Sequence, residues 1–173
     1  MKKLLCGLLS GALMMSAMPA AAAVAWQVDK NGKLIGATGV VIDKSTYTVT
    51  FADGTCTAIY GACAANKFDF RTQAAALAAG NALLSQVLTG IYKTNPGLVF
   101  GCSTSMCDSF IPYTMYPDEP GSAQAIVVGN RGSTNRFVNG DVYPGANDST
   151  VADPNVNYAR FTLQVAAIPE PAT

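Results

Sequence analysis

Alternation of apolar and polar positions begins at Ala25-Trp26-Gln27-Val28 and breaks at Asp29-Lys30-Asn31-Gly32. Asn-Gly is the strongest short hairpin signal, since both residues accept positive φ. The run from Lys33 to Ile42 is apolar but carries Gly36 and Gly39, which predicts bulges or close backbone approach. Asp43-Lys44-Ser45 turns the chain. Tyr47, Val49 and Phe51 then alternate with Thr48 and Thr50, a half-buried strand that Asp53-Gly54 ends. The opening therefore reads as an antiparallel meander.

The pattern changes period at Thr72, the expected N-cap, and stays Ala/Leu-rich from Gln73 to Leu88. Leu77, Leu84, Leu88 and Ile91 recur at helical spacing, joined by Ala76, Leu83 and Val87, with Gly90 where a C-terminal cap belongs. Gly80 costs about 1 kcal/mol against alanine, so close packing on the sheet is its expected reason. The expected partner of this apolar face is the domain's own sheet, with an external partner or a membrane as the rival. Strands follow at Ser109 to Met115 and Ala123 to Val128, and Asn139-Gly140 marks a second hairpin between Arg136-Phe137-Val138 and Asp141-Val142-Tyr143. A last strand runs from Tyr158 to Val165, with Phe161, Leu163 and Val165 on one face. The class is α+β: one antiparallel sheet of meander and hairpins packed against one main helix.

Ahead of this domain, Lys2 and Lys3 precede an apolar stretch from Leu4 to Met18, then Pro19 and Ala20-Ala21-Ala22-Ala23. A charged start, a short apolar core and small residues make a cleavable signal peptide over residues 1–23, addressed to the Sec translocon and signal peptidase. A membrane anchor is the rival reading, but it needs about 20 apolar residues, and this stretch is shorter and interrupted by Gly and Ser. Without Lys2 and Lys3, the 11 basic and 11 acidic side chains become 9 against 11. That balance gives no reason to expect a nucleic-acid partner.

Four cysteines follow the leader: Cys56, Cys63, Cys102 and Cys107. In an oxidising compartment an even number reads as disulfides, and four allow three connectivities. The favoured pairs are the local ones, Cys56–Cys63 and Cys102–Cys107, because each closes a short loop containing Gly or Ser. A zinc site is the alternative; its knuckles rarely have the six intervening residues found between Cys56 and Cys63.

The chain contains no histidine. This removes Ser-His-Asp and Cys-His catalysis and every imidazole metal site. Asp153, Asn155 and Asn157 match the opening of a calcium loop, which then fails at Tyr158 and Gln164, so turn formation is the default. Asp108, Asp118 and Glu119 are the carboxylates a small hydrolase would need, but no spacing selects a pair. Tyr113, Tyr116 and Tyr143 lie in polar, Pro-containing segments where rings could stack on sugars or cover the core edge. No cofactor or metal is expected.

The sequence ends Ile168-Pro169-Glu170-Pro171-Ala172-Thr173, a stiff extended tail on physical grounds. Paired with the signal peptide, this hexapeptide resembles the start of the PEP-CTERM sorting signal of Gram-negative bacteria. The site residues that match are Pro169, Glu170, Pro171, Ala172 and Thr173. The family pattern continues into a transmembrane helix and an arginine cluster, and the expectation is that this sequence stops short of them. The body, with Thr55-Cys56, Gly61-Ala62-Cys63 and Phe68-Asp69-Phe70 leading into the Ala-rich helix, looks like uncharacterised exported proteins of the same type. The resemblance implies an exosortase partner and a place at the cell surface or in an exopolysaccharide matrix. Residues 1–23 are then leader, 24–167 one domain and 168–173 the start of the sorting signal. Its expected role is non-catalytic; the alternatives are an exopolysaccharide-binding module and, less favoured, a carboxylate hydrolase.

Overall fold

The structure, a computed structural model, describes residues 23–119, 121–132, 136–142 and 148–165. Residues 1–22 of the segment read as a signal peptide, Tyr143 and the hexapeptide read as the start of a sorting signal lie outside them. Seven strands form one sheet: β1 Ala25–Val28, β2 Leu34–Ile42, β3 Ser45–Ala52, β4 Cys107–Met115, β5 Ala123–Asn130, β6 Arg136–Val142 and β7 Val156–Leu163. Their order is β1-β2-β3-β7-β4-β5-β6. Two three-stranded meanders are thus joined edge to edge by the last strand. The α+β class expected from the sequence holds, and the pairings are antiparallel except one: β7 runs antiparallel to β3 but parallel to β4.

The long crossover from β3 to β4 carries the helices: α1 Cys56–Tyr60, α2 Gln73–Ala82, which continues as a π-turn over Leu83–Val87, and α3 Gly90–Thr94. Thr72 caps α2 as expected, its hydroxyl accepting from the Ala75 amide at 3.2 Å. The buried face differs from the expected leucine stripe. Ala76, Ala79, Gly80, Leu83 and Val87 face inward, whereas Leu77 is 39 % and Ile91 54 % exposed. Close approach is the reason: a Cβ on Gly80 would stand 2.8 Å from Val138 Cγ1 and 3.1 Å from Val128 Cγ2. Small residues bring the helix down and push the large ones to its flanks.

At the π-turn the Leu88 amide bonds the Leu83 carbonyl, and Arg136 of β6 donates Nη2 to the carbonyls of Leu84 and Leu88. A side chain from the sheet thereby closes the helix end where a glycine cap was expected. Gly90 instead opens α3 at φ 55°, beneath the Trp26 ring.

Successive strand residues face opposite sides of a sheet. Ile111, Ala159 and Phe161 enter the core under α2, while Phe110 and Tyr158 enter a second, smaller core with Cys56, Tyr60 and Phe68 under α1. The middle of the sheet is therefore covered on both faces. Of the three residues expected on one face of this strand, Phe161 is buried, while Leu163 (53 % exposed) and Val165 (84 %) lie beyond the core edge.

Three further readings of the turns are settled. The β1–β2 turn is built on an aspartate: Asp29 Oδ1 accepts from the amides of Asn31 and Lys33, both at 2.8 Å, and only Gly32 takes positive φ. Gly36 and Gly39 mark close approach and a bulge, as expected: a Cβ on Gly36 would lie 2.3 Å from the Val49 carbonyl oxygen, and the β2–β3 register shifts between Ala37 and Val40. Asn139-Gly140 is not a hairpin turn. β6 runs straight through it, and the pairing with β5 slips between Ala125 and Val127, so the dipeptide supplies a bulge.

Candidate functional site

The four cysteines form the two expected local bridges. Cys56–Cys63 and Cys102–Cys107 have Cα separations of 5.3 and 5.6 Å. The first staples α1, whose ends are fixed by the Thr55 hydroxyl (3.1 Å from the Ala58 amide) and by Gly61 at φ 75°. The second closes the loop that enters β4. Backbone bonds hold this loop to the segment before β7: Ser103 N to Pro154 O at 2.9 Å and Asp108 N to Asn155 O at 2.7 Å. Lys33 Nζ donates to the Cys102 carbonyl at 2.5 Å.

Two shallow clefts flank the stapled loop, and Ser103 lines both. One, of about 420 Å³, is walled by Thr94, Asn95, Thr104, Ser105 and Arg131. Arg131 is held there by Asp108 at 2.7 Å and over the Phe137 ring at 5.2 Å; the hydrogen bond to Asp108 raises its pKa. The other, of about 400 Å³, is lined by Asp29, Asn31, Lys33, Asp53, Phe100 and Val151. The β1–β2 turn supplies the first three. Asp53 follows β3 and accepts from the Thr150 hydroxyl, which in turn accepts from the Gly54 amide at 2.9 Å. The Lys33 amide is the main influence holding the Asp29 carboxyl below its usual range.

A third polar cluster is internal. Arg160 on β7 donates Nε and Nη2 to Asp69, at 2.9 and 3.1 Å, and Nη1 to the Ile59 carbonyl at 2.5 Å. Its guanidinium lies 4.2 Å over the Tyr60 ring. Burial opposes the Arg160 charge, but the Asp69 pair outweighs it and raises the pKa. Burial, foremost, and then Asp69 push the Tyr60 phenol well above its usual range. This cluster ties α1, the Phe68-Asp69-Phe70 segment and β7 together.

The residues singled out in the sequence fall in separate places. Tyr113 is 6 % exposed: it is the extra residue of a bulge between Pro112 and Thr114, and its ring enters the core instead of facing a ligand. The same bulge accommodates Pro112, which has no amide to give a central strand. Tyr116 is half-buried at the start of the β4–β5 turn, its amide bonded to the Ser122 carbonyl at 2.8 Å. Asp118 and Glu119 are exposed in that turn, and β4 separates them from Asp108 at its other end. Asp153 Oδ1 accepts from both nitrogens of Asn155 at 2.9 Å, a local turn, and Asn157 is a buried member of β7. Among the described residues, no group of three or more His, Cys, Asp or Glu side chains is placed to hold a metal. Phe100, 38 % exposed in the second cleft, went unnoticed in the sequence. The available signal was an aromatic residue set directly before Gly-Cys at the mouth of a disulfide loop.

Tyr158 offers a test of the smaller core. Its hydroxyl is buried and has no hydrogen-bond partner among the described residues, and burial, aided by Asp148, pushes its pKa up to about 12. An unfolded chain releases that proton near pH 10, so the folded state holds one more proton between about pH 10 and 12. Stability from this group is complete below pH 10 and falls as pH rises, by up to about 1.4 kcal/mol per pH unit. Tyr158→Phe is expected to cost less than about 0.5 kcal/mol at pH 7, or to stabilise, since no hydrogen bond is lost. It also flattens the alkaline loss, as urea titrations from pH 8 to about 11.5 will show.

Comparison with family models, with curated proteins and with solved structures found no match to this chain.

Proposed function

We propose that this chain is an exported, non-catalytic component of the cell surface or extracellular matrix of a Gram-negative bacterium, delivered by the Sec translocon and sorted by an exosortase. The observation that carries the reading is the pair of local disulfides in a chain that opens with a signal-like segment. Disulfides persist in oxidising compartments and are rare in the cytosol. The separation of Asp108 from Asp118 and Glu119 favours binding or scaffolding over hydrolysis, which needs two carboxylates facing one bond. Among the described residues, no helix is long and apolar enough to cross a membrane.

Residues 1–23 fused to a reporter enzyme that is active only after export will test the address. The expected result is activity in a Gram-negative host, lost when Lys2 and Lys3 are replaced and the apolar stretch is interrupted by charge. An inactive fusion would remove the export reading. The sorting step is read from the coding sequence beyond Thr173, where an apolar segment of about 20 residues and an arginine cluster are expected.

A further inference from the structure

We propose that the cleft formed by Phe100, Asp29, Asn31 and Asp53 beside the Cys102–Cys107 loop binds a neutral saccharide. A sugar ring presents an apolar C–H face and a rim of hydroxyls, so its site pairs an exposed aromatic ring with hydrogen-bonding side chains around it. This cleft has that composition. Phe100 is 38 % exposed, and its backbone is fixed on both sides: its amide donates to the Leu34 carbonyl at 2.9 Å and its carbonyl accepts from Asn157 Nδ2 at 2.5 Å. The ring is therefore presented from a rigid support.

The polar groups are acceptors held ready. Asp29 Oδ1 is committed to the β1–β2 turn and Asp53 Oδ1 to Thr150. Among the described residues no hydrogen bond takes Asp53 Oδ2, which leaves that oxygen for a sugar hydroxyl. Asn31 lines the cleft beside Asp29, with which its side chain interacts. Gly101 at φ 82° forms the floor; a Cβ there would lie 2.8 Å from Asn157 Cβ and 3.5 Å from Asp53 Cβ. Beneath it Asn157 is fully buried, and its Oδ1 has no hydrogen-bond partner among the described residues.

Charge selects among ligands. The lining holds two carboxylates and one ammonium, and Lys33 is already engaged by the Cys102 carbonyl. Phosphorylated or other polyanionic polymers would meet net repulsion, whereas a neutral glycan would not. The volume of about 400 Å³ suits one or two sugar units of a longer chain lying across the surface. The second cleft, across the shared Ser103, lies next along the same rim and is lined by hydroxyls and Arg131. The inference deepens the matrix reading and rests on it for where such a polymer is met. Its test uses purified protein, so failure of the export fusion would leave the result untouched.

The ¹⁵N-labelled, oxidised protein would be titrated separately with cellopentaose, laminaripentaose, isomaltopentaose and chitopentaose. At least one is expected to give saturable shifts at the amides of Asn31, Gly101, Cys102 and Val151. Phe100→Ala is expected to weaken that binding at least about tenfold. Phe100→Trp should retain it, and Leu163→Ala, at an exposed apolar position elsewhere, should leave it unchanged. Phe100→Leu fills the same space without a ring face and keeps the test decisive if the alanine variant misfolds. Absence of saturable shifts with all four sugars overturns the proposal, as does binding that survives Phe100→Leu in a folded protein.

Discussion

Replacing Arg160 with leucine is expected to destabilise the domain by about 3 kcal/mol, the low end of the range for breaking a buried ion pair. The size follows from what is left behind. The Asp69 side chain is 11 % exposed and would retain only the Phe161 amide at 2.8 Å, having lost the guanidinium. The Ile59 carbonyl at the end of α1 would lose its donor, and the Tyr60 ring its cation. The Arg160 side chain is itself 31 % exposed, so solvent screens part of the pair and the upper end of the range does not apply. Asp69→Ala should cost a similar amount, because it strands the guanidinium and the Phe161 amide together. The double variant should cost clearly less than the two singles combined, since neither charge is then left unpaired. Urea midpoints of the four proteins measure this. A loss below about 1 kcal/mol for Arg160→Leu would class the pair with ordinary surface salt bridges.

No pattern in the sequence announces that pair, whose members stand 91 residues apart. Strand positions are a different case. The alternation of Tyr47, Val49 and Phe51 places Val49 and Phe51 inside because period-two burial is imposed by the pleat itself. The pleat does not reveal the neighbouring strand. β7 reads the same whether it pairs parallel or antiparallel, so its position between β3 and β4 is fixed only by long-range packing. The helix shows the same division. Its start is legible at Thr72 because capping is local, but its buried face is not, because alanine recurs on every side of Gln73–Ala82 and contrast between faces is low. Asn139-Gly140 misleads for a related reason: the dipeptide favours both a tight turn and a bulge, and the partner strand decides between them. The candidate site was legible as a disulfide loop. Phe100 and the β1–β2 turn meet there through contacts between distant segments: the pairing of Val99 with Leu34 and the bond from Lys33 to the Cys102 carbonyl.

Removing both disulfides is expected to have the largest effect of any change considered. On the chain-entropy model each short loop contributes about 2–2.5 kcal/mol, so the two together contribute about 4–5 kcal/mol. A domain of this size has about 5–15 kcal/mol in all. Cys56→Ala/Cys63→Ala and Cys102→Ala/Cys107→Ala should each lower the melting temperature by about 5–10 °C. Buried thiol positions add to this, since Cys56, Cys102 and Cys107 are each no more than 1 % exposed and alanine leaves small voids. The two pairs belong to different cores, Cys56 to the smaller and Cys102 and Cys107 to the larger, so their effects should add. Their local consequences should differ. Loss of Cys56–Cys63 frees α1 from the smaller core and loosens the packing around Tyr158, but leaves the Phe100 cleft intact. Loss of Cys102–Cys107 releases the wall that Lys33 grips through the Cys102 carbonyl, so it should weaken any ligand held there as well as the fold. Calorimetry of the three variants beside non-reducing peptide mapping separates these outcomes. Each bridge should be recovered within one short peptide. A peptide joining the 56/63 region to the 102/107 region, or a melting temperature unmoved by both double replacements, would show that the bridges do not constrain the chain in this way.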